Sequence, residues 1–410
     1  MSKKTFITLT AVFVVVLAVG LYVYYYVFFA RDNAVFESSP PGTFPDTRLD
    51  DGVTFDEAEP PPAATVLEEG RLAQKIVGKV TAGMSIASLP AGEALRYVER
   101  GRGHVYELPL WGGAERRLTN TLLPKLYEAV FAESGRSFLV RRLESASRDP
   151  AIETIYGSII PAQEGGAEAE VNAKYLPVGV TALAVSPSQT KIFYLTRRDG
   201  SRGIVSRPDG SLAAVLFESP LGEWLAAWPA ESTIALTTKA SAGSAGVLYF
   251  LEVKGGSQRR VLGGVSGLTT LVSPGLRYVL WSESRPGGAA LKVTRLGDRK
   301  VFELDAVTLP EKCAWSKLET RKVYCAVPER LPPADYPDGW YQGLFAFVDK
   351  VVEIDVESGL TEVVARVEDM DEPVDAVELM LNKAEDKLIF RNKRDGSVWL
   401  VNLENSKNMR

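Results

Sequence analysis

Short apolar runs separated by tight polar turns recur along most of this chain, and helical stripes do not. Seven times an apolar run leads through a turn into a second apolar run. The turns lie in Ser88 to Arg96, Ala132 to Ser137, Ser186 to Lys191, Pro229 to Thr233, Ser273 to Arg277, Ser316 to Lys322 and Asn382 to Lys387. The middle of each second run falls at Tyr97, Leu139, Phe193, Ala235, Val279, Tyr324 and Ile389, at separations of 42, 54, 42, 44, 45 and 65 residues. A period of about 43 residues with several strands per copy is the pattern of a β-propeller, and the two long separations mark insertions.

The third copy reads as a complete blade. Its strands are expected at Thr181 to Ser186, Lys191 to Thr196, Gly203 to Arg207 and Leu212 to Glu218, with Asp199-Gly200 and Asp209-Gly210 as turns between the later strands. The last copy has too little chain after Val398 to Leu403 for a fourth strand. Arg71 to Val77 has the look of the fourth strands expected at Glu115 to Leu118 and Arg259 to Leu262. It is therefore expected to complete the last blade, so that no sheet edge is left bare. The fold class expected is all-β: a seven-bladed propeller over residues 70–404, built of four-stranded antiparallel blades and closed by an N-terminal strand.

The turns Ser186-Pro187-Ser188-Gln189-Thr190-Lys191 and Ser273-Pro274-Gly275-Leu276-Arg277 resemble the Ser-Pro-Asp-Gly-x-Lys turn of TolB-like and other WD-type bacterial propellers. The chain as a whole resembles membrane-anchored bacterial propellers of that kind. The resemblance covers about residues 70 to 404, is stronger in the repeat than in the letters, and implies an extracytoplasmic or scaffolding habit. It brings no catalytic residues.

The N-terminus adds a second element. Phe6 to Ala30 holds no charged residue and is long enough, as a helix, to span the roughly 30 Å hydrocarbon core. Lys3 and Lys4 precede it, which places residues 1–30 as a cytoplasmic tail and single-pass transmembrane anchor with the propeller outside the cytoplasm. A cleaved secretory signal is the rival reading, against which stand the length of the run and its aromatic end. Residues 31–69 carry ten acids against Arg31 and Arg48, with six prolines, and read as an extended stalk. The whole chain has a net charge of −5, and setting aside the stalk's ten acids and two bases leaves +3. Neither value suggests nucleic acid. Residues 405–410 are set apart as a C-terminal tail.

Chemistry is sparse. Cys313 and Cys325 flank the sixth turn symmetrically about Glu319, which makes them cross-strand neighbours and disulfide candidates on the oxidising side of a membrane; the competing reading is two buried thiols. The one histidine, His104, has no companion ligands and is expected at the surface or a strand edge. Gly243-Ser244-Ala245-Gly246 misses the spacing of a hydrolase elbow, and no phosphate or dinucleotide loop occurs. No cofactor and no metal site is expected. Carboxylates gathered from several blades at the channel mouth remain open as an alternative, an envelope hydrolase.

Two features favour binding instead. The connections between second and third strands share one face and carry Arg100, Arg102, Arg141, Arg142, Arg148, Arg197, Arg198, Arg202, Lys239, Arg285, Arg330, Arg391, Lys393 and Arg394. Such a face would collect an anionic partner, an acidic protein segment or an envelope polymer; solvated loops are the plain alternative. The longest of these connections, Pro328 to Leu344, holds Tyr336, Trp340 and Tyr341, which form either a contact surface or a plug folded back on the blades. Glu164 to Lys174 is expected to be a flexible insertion. Trp224, Trp228, Trp281, Trp315 and Trp399 are expected to pack between blades.

Overall fold

Seven sheets of four antiparallel strands follow one another around the ring. The computed structural model describes residues 70–143, 152–160, 170–197 and 199–408. The anchor expected at Phe6 to Ala30 and the stalk of residues 31–69 lie outside the described residues, and no described helix is long and apolar enough to cross a membrane.

Blade 3 shows the plan, with strands Val180–Val185, Ile192–Arg197, Ser201–Ser206 and Ala214–Ser219, each paired to the next. These lie within two residues of the expected bounds, because Asp199-Gly200 and Asp209-Gly210 supply the left-handed turn residues that hairpins need. All seven second-strand centres, from Tyr97 to Ile389, are buried. The cores lie between blades: Tyr278 and Val293 of blade 5 pack on Trp315 and Ile354 of blade 6, and Tyr324 of blade 6 packs with Phe390 and Trp399 of blade 7.

First strands line the channel. Thr81–Leu89 lies against Leu126–Ala132, Val180–Val185 against Trp224–Ala230, and Cys313–Trp315 against Ala376–Leu381. The approach is so close at blade 1 that a Cβ on Gly83 would meet the Ala129 carbonyl oxygen at 1.8 Å, so only glycine fits.

The ring closes with the N-terminal strand. Ala73–Val77 pairs antiparallel with Val398–Asn402, placing Ala73 opposite Val401 and Gln74 opposite Leu400. Ala73 packs into the core between blades 6 and 7, while Ile76 and Val77 pack into the core between blades 7 and 1. Burying the last two contributes on the order of 1.5–3 kcal/mol each.

Strand direction fixes two faces. First and third strands run toward the turn face; second and fourth strands run back to the loop face, where the second-to-third connections and the links to the next blade lie. On the turn face, acceptors clasp neighbouring turns. Glu93 accepts from the Lys383 amide at 3.0 Å, Glu385 from the Lys317 amide at 2.6 Å, and Gln189 from the Ser134 amide at 2.7 Å.

One local expectation is corrected and another in part. Glu170–Tyr175 is the fourth strand of blade 2, so much of the presumed flexible insertion is ladder. His104 stands at the edge of strand Val105–Pro109, one of the two places expected, but it is buried against the Tyr106 ring and not at the surface. A short helix, Leu403–Asn408, follows blade 7, with the Asn405 side chain on the Arg71 carbonyl.

Candidate functional site

The loop face carries most of the residues singled out above, and the arginines there are largely engaged. Arg100 donates to the Leu126 carbonyl at 3.1 Å and Arg141 to the Val180 carbonyl at 3.2 Å, each crossing to the next blade. Arg141 also pairs with Glu128, and Arg142 with Glu153 at 2.8 Å. Arg202 holds Glu218 at 3.0 Å, Arg285 holds Glu303 at 2.9 Å and Arg391 holds Glu378 at 3.1 Å. Arg197 and Lys239 share one carboxylate, Glu223, at 3.9 and 3.3 Å. Arg198 and Arg148 lie outside the described residues.

The expectation of an open basic face is corrected accordingly. Much of its charge is neutralised by acids that lie away from the loops in sequence but beside them in the sheet, Glu128, Glu218, Glu303 and Glu378 on first and fourth strands among them. The arginines that reach a carbonyl join neighbouring blades.

The connection between Pro328 and Asp349 in blade 6 is a strap, and it folds inward. Tyr336, Trp340 and Phe347 are buried in a cluster with Leu309 and Val377. Their rings stack, Tyr336 on Phe347 at 6.2 Å and Trp340 on Phe347 at 5.8 Å. Burial pushes the Tyr336 hydroxyl up to about 12, and that hydroxyl donates to the Pro332 carbonyl at 2.6 Å. The strap extends toward blade 4, where the Asp338 carboxylate accepts from the Ala242 amide at 2.6 Å. It passes so near Gly267 that a Cβ there would lie 2.5 Å from the Tyr336 carbonyl oxygen. Tyr336 and Trp340 are therefore not a contact surface, because their apolar area is spent on the blades. Tyr341 stays 38 % exposed, with its hydroxyl turned in on Glu311. Burial raises the Glu311 carboxyl above its usual range, and burial and Glu311 together raise the Tyr341 hydroxyl.

Beneath the strap sits a fully buried ionic cluster. The Lys312 ammonium donates to Asp349 at 2.7 Å, to Asp375 at 2.5 Å and to the Ala376 carbonyl at 3.0 Å, which uses all three of its hydrogens. Asp375 in turn accepts from Trp340 Nε1 at 2.9 Å and from the Phe347 amide at 3.0 Å, tying the strap down. Asp349 accepts from the Ala376 amide at 2.7 Å, but its Oδ1 has no partner. Burial pushes Asp349 up to about 6 against the pull of Lys312. Lys393 and Arg394 complete the lid side: Lys393 donates to the Trp340 carbonyl at 2.6 Å and lies 4.1 Å from the Trp340 ring centre, and Arg394 donates to the Phe347 carbonyl at 3.3 Å. Burial lowers the Lys393 ammonium.

Two carboxylates this close, one with a raised pKa, are what a hydrolytic site would need. Here both side chains are 0 % exposed. No substrate reaches them while Trp340 and Phe347 are in place, so the arrangement holds a strap and offers no reaction surface.

Cys313 follows Lys312 directly and stands opposite Cys325 in the ladder, joined to it by a disulfide with Cα atoms 4.1 Å apart. On the turn face, a cavity of about 390 Å³ lies between blades 5 and 6, lined by Arg277, Glu319, Arg321, Lys322, Asp355 and Glu357. Its charges are matched: Arg321 faces Asp355 at 3.3 Å, and Glu357 accepts from Tyr278 at 2.6 Å and Arg295 at 2.7 Å. Among the described residues, no three His, Cys, Asp or Glu side chains are grouped to hold a metal ion.

No family model matches the chain, and no curated protein matches its sequence. Solved structures share its fold. An oligogalacturonate lyase from Vibrio parahaemolyticus superposes with a TM-score of 0.52 at 9 % identity, over 80 % of this chain and 90 % of that one. An oligogalacturonate lyase in complex with manganese gives 0.51 at 10 % identity, over 81 % and 90 %. TolB from Acinetobacter baumannii gives 0.40 at 12 % identity, over 68 % and 62 %. At these identities the likeness concerns the fold alone.

Proposed function

We propose that this protein is a membrane-anchored, extracytoplasmic propeller that serves as a protein-binding scaffold of the cell envelope. The observation that carries this reading is the sealed state of Asp349 and Asp375. The close carboxylate pair that would favour an envelope hydrolase is occupied by Lys312 and roofed by Trp340 and Phe347. An anionic polymer is less well served, because many of the loop-face bases already face carboxylates or carbonyls.

A further feature supports it. The buried disulfide suits an oxidising compartment.

The test has two parts. Alkaline phosphatase fused after Arg410 should be active in cells, and an inactive, cytoplasmic fusion would overturn the location. Cross-linking in intact cells should recover envelope proteins in excess over a control in which residues 1–69 carry an unrelated domain. No excess, together with hydrolysis of a glycan or ester panel by the purified protein, would replace scaffold with enzyme.

A further inference from the structure

Neighbouring turns on the turn face are clasped at four junctions by one device. A side-chain oxygen of one blade accepts from a turn amide of the blade before it: Gln189 from Ser134, Glu231 from Ser188, Glu385 from Lys317 and Leu318, and Glu93 from Lys383. Two junctions close otherwise. Arg96 of blade 1 donates to the Gly135 carbonyl of blade 2 at 2.7 Å, and Leu276 of blade 5 packs on the core shared with blade 4.

The junction of blades 5 and 6 is the seventh, and its acceptor is missing. Gln189 and Glu385 stand fourth in the turns Ser186 to Lys191 and Asn382 to Lys387, both in left-handed backbone. Glu319 stands fourth in the blade 6 turn, Ser316 to Lys322, which is one residue longer and leaves it outside that backbone; its carboxylate lies on Lys322 at 2.9 Å. On the other side, the Gly275 amide, third in its turn like that of Ser188, is exposed and meets no acceptor among the described residues. The cavity of about 390 Å³ described above occupies this junction.

The walls of that cavity hold one cation without an acid. Arg277, from blade 5, is exposed, donates to the Thr320 hydroxyl at 3.4 Å and forms no ion pair among the described residues. Arg321, from blade 6, faces Asp355 at 3.3 Å, longer than a charge-assisted hydrogen bond. The acids of the cavity are already served: Glu319 by Lys322, Asp355 by the Glu357 and Ser358 amides at 3.1 and 3.0 Å, and Glu357 by Tyr278 and Arg295. They cannot turn to Arg277 without giving up a donor, and they repel a second anion. The cavity is thus matched to a single carboxylate and not to a polyanion.

We propose that the cavity between the turns of blades 5 and 6 binds one carboxylate side chain of a partner protein, which accepts from Arg277, with Arg321 and the Gly275 amide as further donors at the junction, and supplies the clasp that Glu319 does not. Acceptors on this chain's own turns make the same kind of contact at the clasped junctions, so the partner element that fits is a short turn or loop presenting Asp or Glu. The inference rests on the scaffold reading and gives that scaffold a located contact and a partner class. It asks nothing of the buried Lys312 cluster.

The experiment selects phage-displayed random peptide loops, each closed by a disulfide, on the intact protein. The expected result is an enriched loop with one fixed Asp or Glu. Its synthetic peptide should lose at least about tenfold in affinity when that acid becomes its amide, the order for one charge-assisted hydrogen bond. Arg277→Met should cost the acidic peptide a similar factor and the amide peptide almost nothing, a coupling that places the acid at Arg277. Arg277→Lys should restore part of the binding, and neither variant should shift the thermal midpoint, because Arg277 is exposed. An acidic peptide that binds Arg277→Met as tightly as the intact protein, or a selection that yields no acidic loop, overturns the site, while the cross-linking described above still decides the scaffold reading. Succinate bound as tightly as the peptide, with the same loss at Arg277→Met, would make the occupant a free small acid and overturn the partner.

Discussion

One face of this propeller is built in two ways. Over blades 5 to 7 a strap covers the rim, pinned by a buried lysine and two aspartates; over blades 1 to 4, the bare arc, the strap does not reach the links, which bury Leu123 and Leu176 and leave Val80, Leu122, Val178 and Leu221 exposed. The covered arc shows what the bare arc lacks. Aromatic rings need a partner surface, and a buried ionic cluster is tolerated only when almost every lone pair and hydrogen is used. The strap satisfies both demands from within the chain.

The sharpest way to break the comparison is to remove the cation. Lys312→Met leaves Asp349 and Asp375 buried without compensation and should lower unfolding free energy by about 3–5 kcal/mol, read by urea denaturation. An equally stable variant would mean that the cluster does not hold the strap. Trp340→Ala removes the roof and the hydrogen bond to Asp375, with an expected loss of about 3–5 kcal/mol at most. If the strap opens as a local unit, part of that loss should appear as faster protease cleavage between Leu331 and Leu344, with less change in the global midpoint. Breaking the disulfide beside Lys312, with Cys313→Ser and Cys325→Ser, should cost about 3 kcal/mol on the chain-entropy argument, and thiol titration of the unfolded, unreduced protein should find no free thiol.

Acidity sharpens the comparison more gently. Asp349 titrates higher when folded than when unfolded, so the folded cluster takes up a proton first and gains stability as pH falls through about 6 toward the ordinary carboxylate range. Amide exchange in the strap, corrected for its intrinsic pH dependence, should show greater protection near pH 5 than near pH 7. Exchange on the bare arc should show no such change. The smallest expected effect is at the bare arc itself, where Leu122→Asp should alter stability by no more than about 0.5 kcal/mol.

The repeat was legible because its signals are local. Turn residues at fixed places fix the hairpins, and even the closing strand Ala73–Val77 announced itself by resembling a fourth strand where one was missing. The register of Cys313 and Cys325 followed from the symmetry of one turn. The fate of the surface residues was not local. Counting arginines in loops could not reveal Glu128, Glu218, Glu303 and Glu378, which lie on first and fourth strands of the same sheets. Trp340 and Tyr336 have the same composition whether they meet a partner or a core, and only the position of Leu309 and Val377 decides it. The exposed rim residues were missed for the opposite reason: Val80, Leu122, Val178 and Leu221 lie in short links, Leu122 beside the buried Leu123, and form no periodic run. Their signal was present as an aliphatic residue one to four places before each first strand.

The closing strand also decides how the ring answers a pull. Leu72 and the Asn402 amide meet at 2.8 Å on the turn face, where the chain both enters and leaves the sheet. A load applied between residue 71 and the far rim is directed along Ala73–Val77, at right angles to the hydrogen bonds that join it to Val398–Asn402. Those bonds are then strained together in shear and cannot be peeled open one at a time, so the strand that completes the fold is also the mechanical link through which the molecule can be held.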